Sequence, residues 1–263
     1  MNHFKIGIRL EALGLPLRRA LKEAQRLGVT GVQMDATGDL SPHTLSPSGR
    51  RAIRVLLRSH NLELTALGCA LRRDLGNADD QQQRIDYTKA VLSLSLDLGT
   101  RVVLVQAGRV PDQADDVRGV LLTEALRCLG RHANRIGAML ALETGLDSGA
   151  ALAAFLDRFD TGGLGVNLDP ANLLLHDFDP CASGRALRDK VVHARATDAR
   201  RAGASRSAQE VPLGQGDVDW AQNLCMLQEI AYHGWLTAEG GSNRVADVAA
   251  GINFLQRFAA CSA

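Results

Sequence analysis

The chain of 263 residues carries 30 Lys and Arg against 29 Asp and Glu, so its formal net charge is +1. This balance excludes the strongly basic surface that attracts nucleic acid or acidic membranes. With 46% hydrophobic and 22% charged residues, the composition is typical of a globular protein and excludes a disordered or fibrous chain. Its 5 cysteines are far apart, with no metal-binding or disulfide spacing.

The first ten residues, MNHFKIGIRL, contain no apolar run long enough for a secretory signal. Later apolar stretches are interrupted by Gly or charged residues well short of the roughly 20 that a transmembrane helix needs. We therefore expect a cytoplasmic protein with no membrane partner.

Short apolar runs alternate with longer segments of helical periodicity about eight times, which is typical of successive βα units. The candidate strands are Lys5 to Arg9, Gly31 to Asp35, Glu63 to Gly68, Arg101 to Gln106, Met139 to Glu143, Gly165 to Asp169, Lys190 to Ala196 and Gly234 to Glu239. The candidate helices are Leu17 to Leu27, Pro47 to Ser59, Ala78 to Leu98, Asp116 to Ile136, Ala150 to Phe159, Pro180 to Arg188, Asp219 to Tyr232 and Arg244 to Phe258. No linker interrupts the series. The pattern predicts an α/β protein, a single-domain (β/α)8 TIM barrel over residues 1–263.

Glycines and one long loop add detail to this barrel. Gly28, Gly99, Gly137 and Gly234 each follow a periodic stretch, where a left-handed residue commonly ends a helix. The longest loop after a strand, from Arg195 to Asp217, is a candidate lid, because loops that follow the strands build the active sites of such barrels.

Three acidic residues stand at the ends of predicted strands. Strand five, AMLALETG, ends at Glu143; strand six, GLGVNLDPANLL, ends at Asp169; strand eight, GWLTAEGG, ends at Glu239. Each alone could equally well cap the next helix or form a turn. Together, converging carboxylates at the end of a buried barrel require hydrogen-bond donors or a shared cation such as Mg²⁺, Mn²⁺ or Zn²⁺.

Strand seven, KVVHARATDA, contributes His193, Arg195 and Asp198. Residues i and i+2 share one face of a strand, so His193 and Arg195 are both expected to point into the barrel, with His193 one layer deeper. His193 contacts ligand or metal in one interpretation and is a hydrogen-bonded interior histidine in the other. Asp198 either orients Arg195 or caps the loop.

These segments, with VPLGQGDVDW before the last helix–strand unit, resemble the xylose isomerase-like TIM-barrel family. That family includes sugar isomerases, sugar epimerases and relatives of the apurinic-site endonucleases. The resemblance covers essentially the whole chain. It implies a sugar or sugar-phosphate isomerase or epimerase with a carbohydrate-like substrate, and it leaves homo-oligomerisation open.

The resemblance also implies roles for individual residues. Glu143, Asp169 and Glu239 would hold a divalent metal (Mn, Mg or Zn), and the metal would stabilise an enediolate. Glu143 and Glu239 would be the catalytic acid and base. Asn172, His193, Arg195 and Asp198 would bind substrate.

Two positions depart from the family pattern. Arg195 stands where relatives commonly have a metal-binding histidine, and an arginine has no lone pair to give to a metal. Asn172 replaces a histidine that several epimerases have, and an amide cannot carry a proton. The alternative function is therefore that of a metal-free relative, which binds a sugar-like or acidic ligand without catalysis.

Endonuclease activity is disfavoured, because the chain is near neutral and only 4% aromatic. We therefore expect no nucleic-acid partner.

Overall fold

The computed structural model describes residues 4–111, 116–203, 207–240 and 244–261, without the side chains of residues 258–261. Within these residues, eight parallel strands close into a barrel in which each strand pairs with its neighbour along the chain and the last pairs with the first. The barrel strands are β1 Lys5–Arg9, β2 Gly31–Asp35, β3 Glu63–Cys69, β4 Val102–Val105, β5 Met139–Glu143, β6 Leu164–Leu168, β7 Val191–Ala196 and β10 Trp235–Ala238. The predicted single-domain (β/α)8 barrel is confirmed.

Helices follow the strands around the outside of this barrel. They are α1 Leu17–Arg26, α2 Pro47–Ser59, α3 Gln81–Leu98, α4 Val117–Ile136, α5 Gly149–Leu156, α6 Pro170–Leu175, α7 Pro180–Ala186, α8 Trp220–Glu229 and α9 Arg244–Cys261. The sequence analysis missed α6 and a small antiparallel sheet, β8 Asp198–Arg200 with β9 Gln209–Val211. None of the helices in the described part of the chain is both long and apolar enough to cross a membrane.

Two separate apolar clusters make up the core. The larger fills the space between the strands and the helices, and residues such as Ile8, Met34 and Leu140 are fully buried in it. The smaller comprises Ala66, Leu104 and Ala141, which lie inside the barrel. Strands with both faces buried read as nearly continuous apolar runs, which is why the strand positions were predictable. Small apolar side chains form the floor beneath the polar residues that end the strands.

Acidic and hydroxyl side chains fix the starts of several helices. Asp179 accepts hydrogen bonds from the amides of Cys181 and Ala182 at the start of α7, and Asp219 accepts one from Gln222 at the start of α8. Gly28, Gly99 and Gly137 have the predicted positive φ.

Gly234 does not have the predicted left-handed backbone. Ala231 takes a positive φ of 54° after α8 instead. At Gly234 a side chain would collide with the ring of Tyr232, so packing requires the glycine at this position.

Candidate functional site

Arg195 lies at the centre of the strand ends, among the three acids that the sequence predicted. Its Nε is 2.7 Å from Oε1 of Glu143 and 3.8 Å from Oδ2 of Asp169, and its Nη1 pairs with Oε1 of Glu239. The Arg195 side chain is only 11% exposed. One guanidinium therefore contacts all three carboxylates at the C-terminal end of the barrel.

Glu143 connects this charged group to a chain of neutral hydrogen bonds one layer deeper. Its Oε1 accepts from Nδ2 of Asn167 at 3.5 Å, and Oδ1 of Asn167 is 2.8 Å from Nδ1 of His193. The other ring nitrogen, Nε2, accepts from the hydroxyl of Thr237 at 2.9 Å. Burial raises the pKa of Glu143, while the charge of Arg195 opposes that rise.

His193 is 1% exposed and lies two residues before Arg195 on β7. Burial lowers the pKa of His193 to about 3, and the nearby charge of Arg195 adds to this effect. The ring is therefore neutral, with both nitrogens engaged. This arrangement matches the interior-histidine interpretation.

Asp169 combines two roles that the sequence analysis treated as alternatives. Its Oδ1 caps α6 by accepting from the amide of Asn172 at 2.9 Å, and it also accepts from the hydroxyl of Thr197 at 2.7 Å. Its Oδ2 faces Arg195.

Asn172 is held by a hydrogen bond of its own. Its Nδ2 donates to the carbonyl of Thr144 at 2.6 Å, which fixes the side chain beside the strand ends.

Arg9, at the end of β1, is a second cation that the sequence analysis missed. Its Nη2 is 2.5 Å from Oδ2 of Asp35, and its Nη1 is 3.3 Å from Oε2 of Glu239. Glu239 therefore lies between two guanidinium groups, those of Arg9 and Arg195. The sequence contained a signal for this ion pair, because two further predicted strands end on a charged residue. These are KIGIR, which ends at Arg9, and GVQMD, which ends at Asp35.

These residues line a cavity of about 420 Å³ at the barrel mouth. Arg9, Arg195 and the carboxylates face this cavity. So do the amides of Gln33, Gln106 and Asn172, and Glu210 reaches it from β9.

Of the predicted site residues, five line this cavity: Glu143, Asp169, Asn172, Arg195 and Glu239. His193 and Asp198 are not among the described lining residues. The volume lies within the range of small-molecule binding sites in general.

The chain was compared with models of known protein families. The model of the xylose isomerase-like TIM barrel matches residues 21–258. The chain belongs to the xylose isomerase-like TIM-barrel family. The predicted resemblance is thereby confirmed. No curated protein matches the chain significantly.

Solved structures of similar fold include several members of this family. A xylose isomerase domain protein from Planctomyces limnophilus is 25% identical with a TM-score of 0.87, and the match covers 98% of this chain and 99% of that one. A D-tagatose 3-epimerase-like protein is 15% identical with a TM-score of 0.81 over 98% of each chain. A Mycobacterium smegmatis protein solved with magnesium is 18% identical with a TM-score of 0.79, covering 98% of this chain and 97% of that one.

The residues of this family member do not fit a divalent metal at the predicted place. Arg195 already contacts Glu143, Asp169 and Glu239, and its charge repels a second cation from them. Among the side chains that the structure describes, no group of three or more His, Cys, Asp or Glu is arranged to hold a metal ion. The metal ligands named from the sequence remain a prediction that the position of Arg195 disfavours.

Asp198 anchors the loop that follows β7. Its carboxylate is 2% exposed and accepts hydrogen bonds from four backbone amides at 2.9–3.2 Å, those of Ala199, Gly214, Gly216 and Val218. A side chain at Gly216 would collide with this carboxylate. The PLGQGD segment is thus shaped around Asp198, which acts on the loop rather than on the cavity. Residues 204–206 of the predicted lid lie outside the described residues.

Proposed function

We propose that this chain binds a carbohydrate-like small molecule at the barrel mouth without a divalent metal, and that Arg195 supplies the fixed positive charge of the site. The observation that carries the proposal is the contact of one guanidinium with Glu143, Asp169 and Glu239. Buried carboxylates need a cationic partner, and Arg195 provides one without any lone pair for a metal. This is the metal-free alternative of the sequence analysis.

The rest of the cavity supports a polyhydroxylated ligand. Gln33, Gln106 and Asn172 offer amide groups, and the acids offer acceptors, so hydroxyl groups can be bound from several sides. Neighbours of the same fold include a D-tagatose 3-epimerase-like protein and a D-psicose 3-epimerase solved with D-fructose. The sugars in the names of these neighbours make a sugar-like molecule the first class to test here.

Calorimetric titration with Mn²⁺ tests the metal-free site. We expect no binding to the wild-type protein and new binding to the Arg195→His variant, because histidine restores a lone pair and removes a charge. Arg195→Lys is the matched control, since it keeps the charge and should bind no Mn²⁺. Stoichiometric Mn²⁺ binding by the wild-type protein, lost in Glu143→Gln, would contradict the proposal.

Ligand binding is tested separately with D-fructose and D-tagatose in the presence of a chelator. We expect the same heat of binding with and without the chelator, and its loss in Arg195→Met. Sugar binding that requires added Mn²⁺ would restore the metal-dependent interpretation.

One observation favours a second candidate, a sugar isomerase or epimerase that works by proton transfer. Glu143 is buried with a raised pKa, which suits a general base, and it lies beside the guanidinium of Arg195. In this mechanism Glu143 removes the proton next to a ketose carbonyl, and Arg195 stabilises the enediolate oxygen that forms. Return of a proton by Glu239 to the opposite face of the same carbon gives the epimer, whereas return of the proton to the former carbonyl carbon gives the isomer. The mechanism assisted by a divalent metal stays a prediction. The three carboxylates that would bind the metal are already paired with Arg195.

Proton transfer would be visible as exchange of a carbon-bound hydrogen with D₂O. If the second candidate holds, D-fructose or D-tagatose incubated with the protein incorporates deuterium, and Glu143→Gln abolishes the exchange while retaining the sugar. Glu229→Gln, in the exposed pair with Arg185, is the control and should retain exchange. Sugar binding with no exchange would leave the protein as a binder.

A further inference from the structure

The cavity is lined by more carboxylates than guanidinium groups. Among the described lining residues, five carboxylates face two guanidinium groups. The carboxylates are those of Asp35, Glu143, Asp169, Glu210 and Glu239. No described lining residue is a lysine or a histidine. The charged groups at the mouth are therefore negative in excess.

Both guanidinium groups already bind carboxylates. Arg195 contacts Glu143 and Glu239, and Arg9 contacts Asp35 and Glu239. An anionic ligand would have to displace these internal partners and would also meet the remaining carboxylates in a partly dehydrated site. A phosphate or carboxylate group, the acidic ligand considered for Arg195, is therefore poorly matched to this cavity.

Gln33 gives an independent indication of what the cavity lacks. Its side chain is 1% exposed and lines the cavity, and its Oε1 has no hydrogen-bond partner in the structure. A buried amide oxygen without a donor is costly, by about 1–3 kcal/mol, so a donor from the ligand would satisfy it. Gln33 is held on β2 between Arg9 of β1 and Ala66 of β3. The sheet thus fixes the backbone position from which this side chain reaches the cavity wall.

From these two observations we infer that the cavity selects a donor-rich, positively charged carbohydrate, an amine-bearing sugar or polyol, over neutral sugars, and rejects sugar phosphates. The ammonium group would face the excess carboxylates, and a ligand N–H or O–H would reach Oε1 of Gln33. This inference rests on the proposed carbohydrate-binding function and adds the charge of the ligand.

A matched series of open-chain probes isolates the charge of the ligand. The probes are 1-amino-1-deoxy-D-glucitol, which is an ammonium ion at pH 7, D-glucitol and D-glucitol 6-phosphate, titrated calorimetrically into the full chain. We expect the amine to bind about tenfold more tightly than glucitol, and the phosphate to show no binding. Added salt should reduce the amine preference, because it screens the attraction.

Variants connect the preference to named residues. Glu210→Gln removes one cavity carboxylate from the β8–β9 sheet and should lower the ratio of amine to glucitol affinity several-fold. Gln33→Met, of similar length, removes the amide acceptor and should weaken binding of both probes. Glu229→Gln, whose partner Arg185 lies on the outer surface, is the control and should change neither affinity.

The possible results separate the two proposals. If glucitol binds as tightly as the amine, or if the phosphate binds most tightly, the inference about charge is wrong while carbohydrate binding stands. If none of the three probes binds and D-fructose and D-tagatose also fail, both proposals are overturned. An amine preference that survives Glu210→Gln and high salt unchanged would also contradict the electrostatic origin inferred here.

Discussion

Two layers of the barrel interior lie one above the other and bury polar groups in different ways. In the lower layer, Asn167, His193 and Thr237 satisfy one another through neutral hydrogen bonds. In the upper layer, Arg195 contacts three carboxylates beside an open cavity. His193 and Arg195 are only two residues apart on one strand, yet one is neutral and enclosed and the other charged and facing the mouth.

The difference between the layers indicates which residues act on a ligand. The neutral layer has few unsatisfied groups, so it holds Glu143 in place through Asn167 and presents nothing to the cavity. The charged layer has more carboxylates than cations, so it still attracts donors and positive charge. In the proposed function, the lower layer therefore positions Glu143 and the upper layer binds the ligand. The following predictions test this division, starting with the largest expected effect.

Replacing Arg195 should cause the largest loss of stability. Arg195→Met leaves Glu143 and Glu239 buried without their shared cation, and breaking a buried pair in this way costs about 3–5 kcal/mol of unfolding free energy. Urea unfolding measures the change. Arg185→Met, in an exposed pair with Glu229, is the control and should cost less than about 1 kcal/mol. Equal losses in the two variants would contradict a buried charged layer.

Replacing His193 tests the neutral layer. His193→Phe keeps a ring but leaves Asn167 Oδ1 and the Thr237 hydroxyl without their partner, at about 2–4 kcal/mol in total. Combining it with Thr237→Val should recover part of the loss, because an apolar pair leaves fewer unsatisfied groups. The same unfolding measurement applies. A loss below about 0.5 kcal/mol would show that this layer carries little of the stability.

Removing the loop anchor should have a smaller and more local effect. Asp198→Ala frees the amides of Gly214, Gly216 and Val218, and we expect a loss of about 1–3 kcal/mol. Hydrogen exchange should show faster exchange at these three amides, with protection of β5 and β6 retained. Uniformly faster exchange over the whole barrel would instead make Asp198 part of the global core.

The smallest effect is the pH dependence that His193 contributes. Its pKa is about 3 in the folded protein and 6.5 as the ordinary value. Between these values only the unfolded chain takes up the proton, so stability falls as the pH drops below about 6.5, by at most ~1.4 kcal/mol per pH unit. Above pH 6.5 both states are neutral and the contribution is constant.

Unfolding free energies at pH 7 and pH 5 measure this term. His193→Gln has no titrating ring, so its stability should fall less between these pH values than that of the wild-type protein. Identical pH slopes for the two proteins would show that His193 is not the buried neutral group described here.

The strand positions were predictable because both faces of barrel strands are apolar for most of their length. KIGIR, MLALE and GVNLD are mostly apolar and each ends on a charged residue, and that contrast located Glu143 and Asp169 as site residues. The β8–β9 sheet was not predictable, because it depends on the long-range contacts of Asp198 with amides 16 or more residues away, those of Gly214, Gly216 and Val218.

The sequence by itself determined the barrel, the family and the three acids that end strands five, six and eight. Only the tertiary structure showed where Arg195 places its guanidinium, and that Arg9 approaches Glu239 from a strand 230 residues away in the chain. Periodicity encodes which face of an element is buried, so it predicts the scaffold. The pairing of charges depends on the register and closure of eight strands, and no local pattern contains that information.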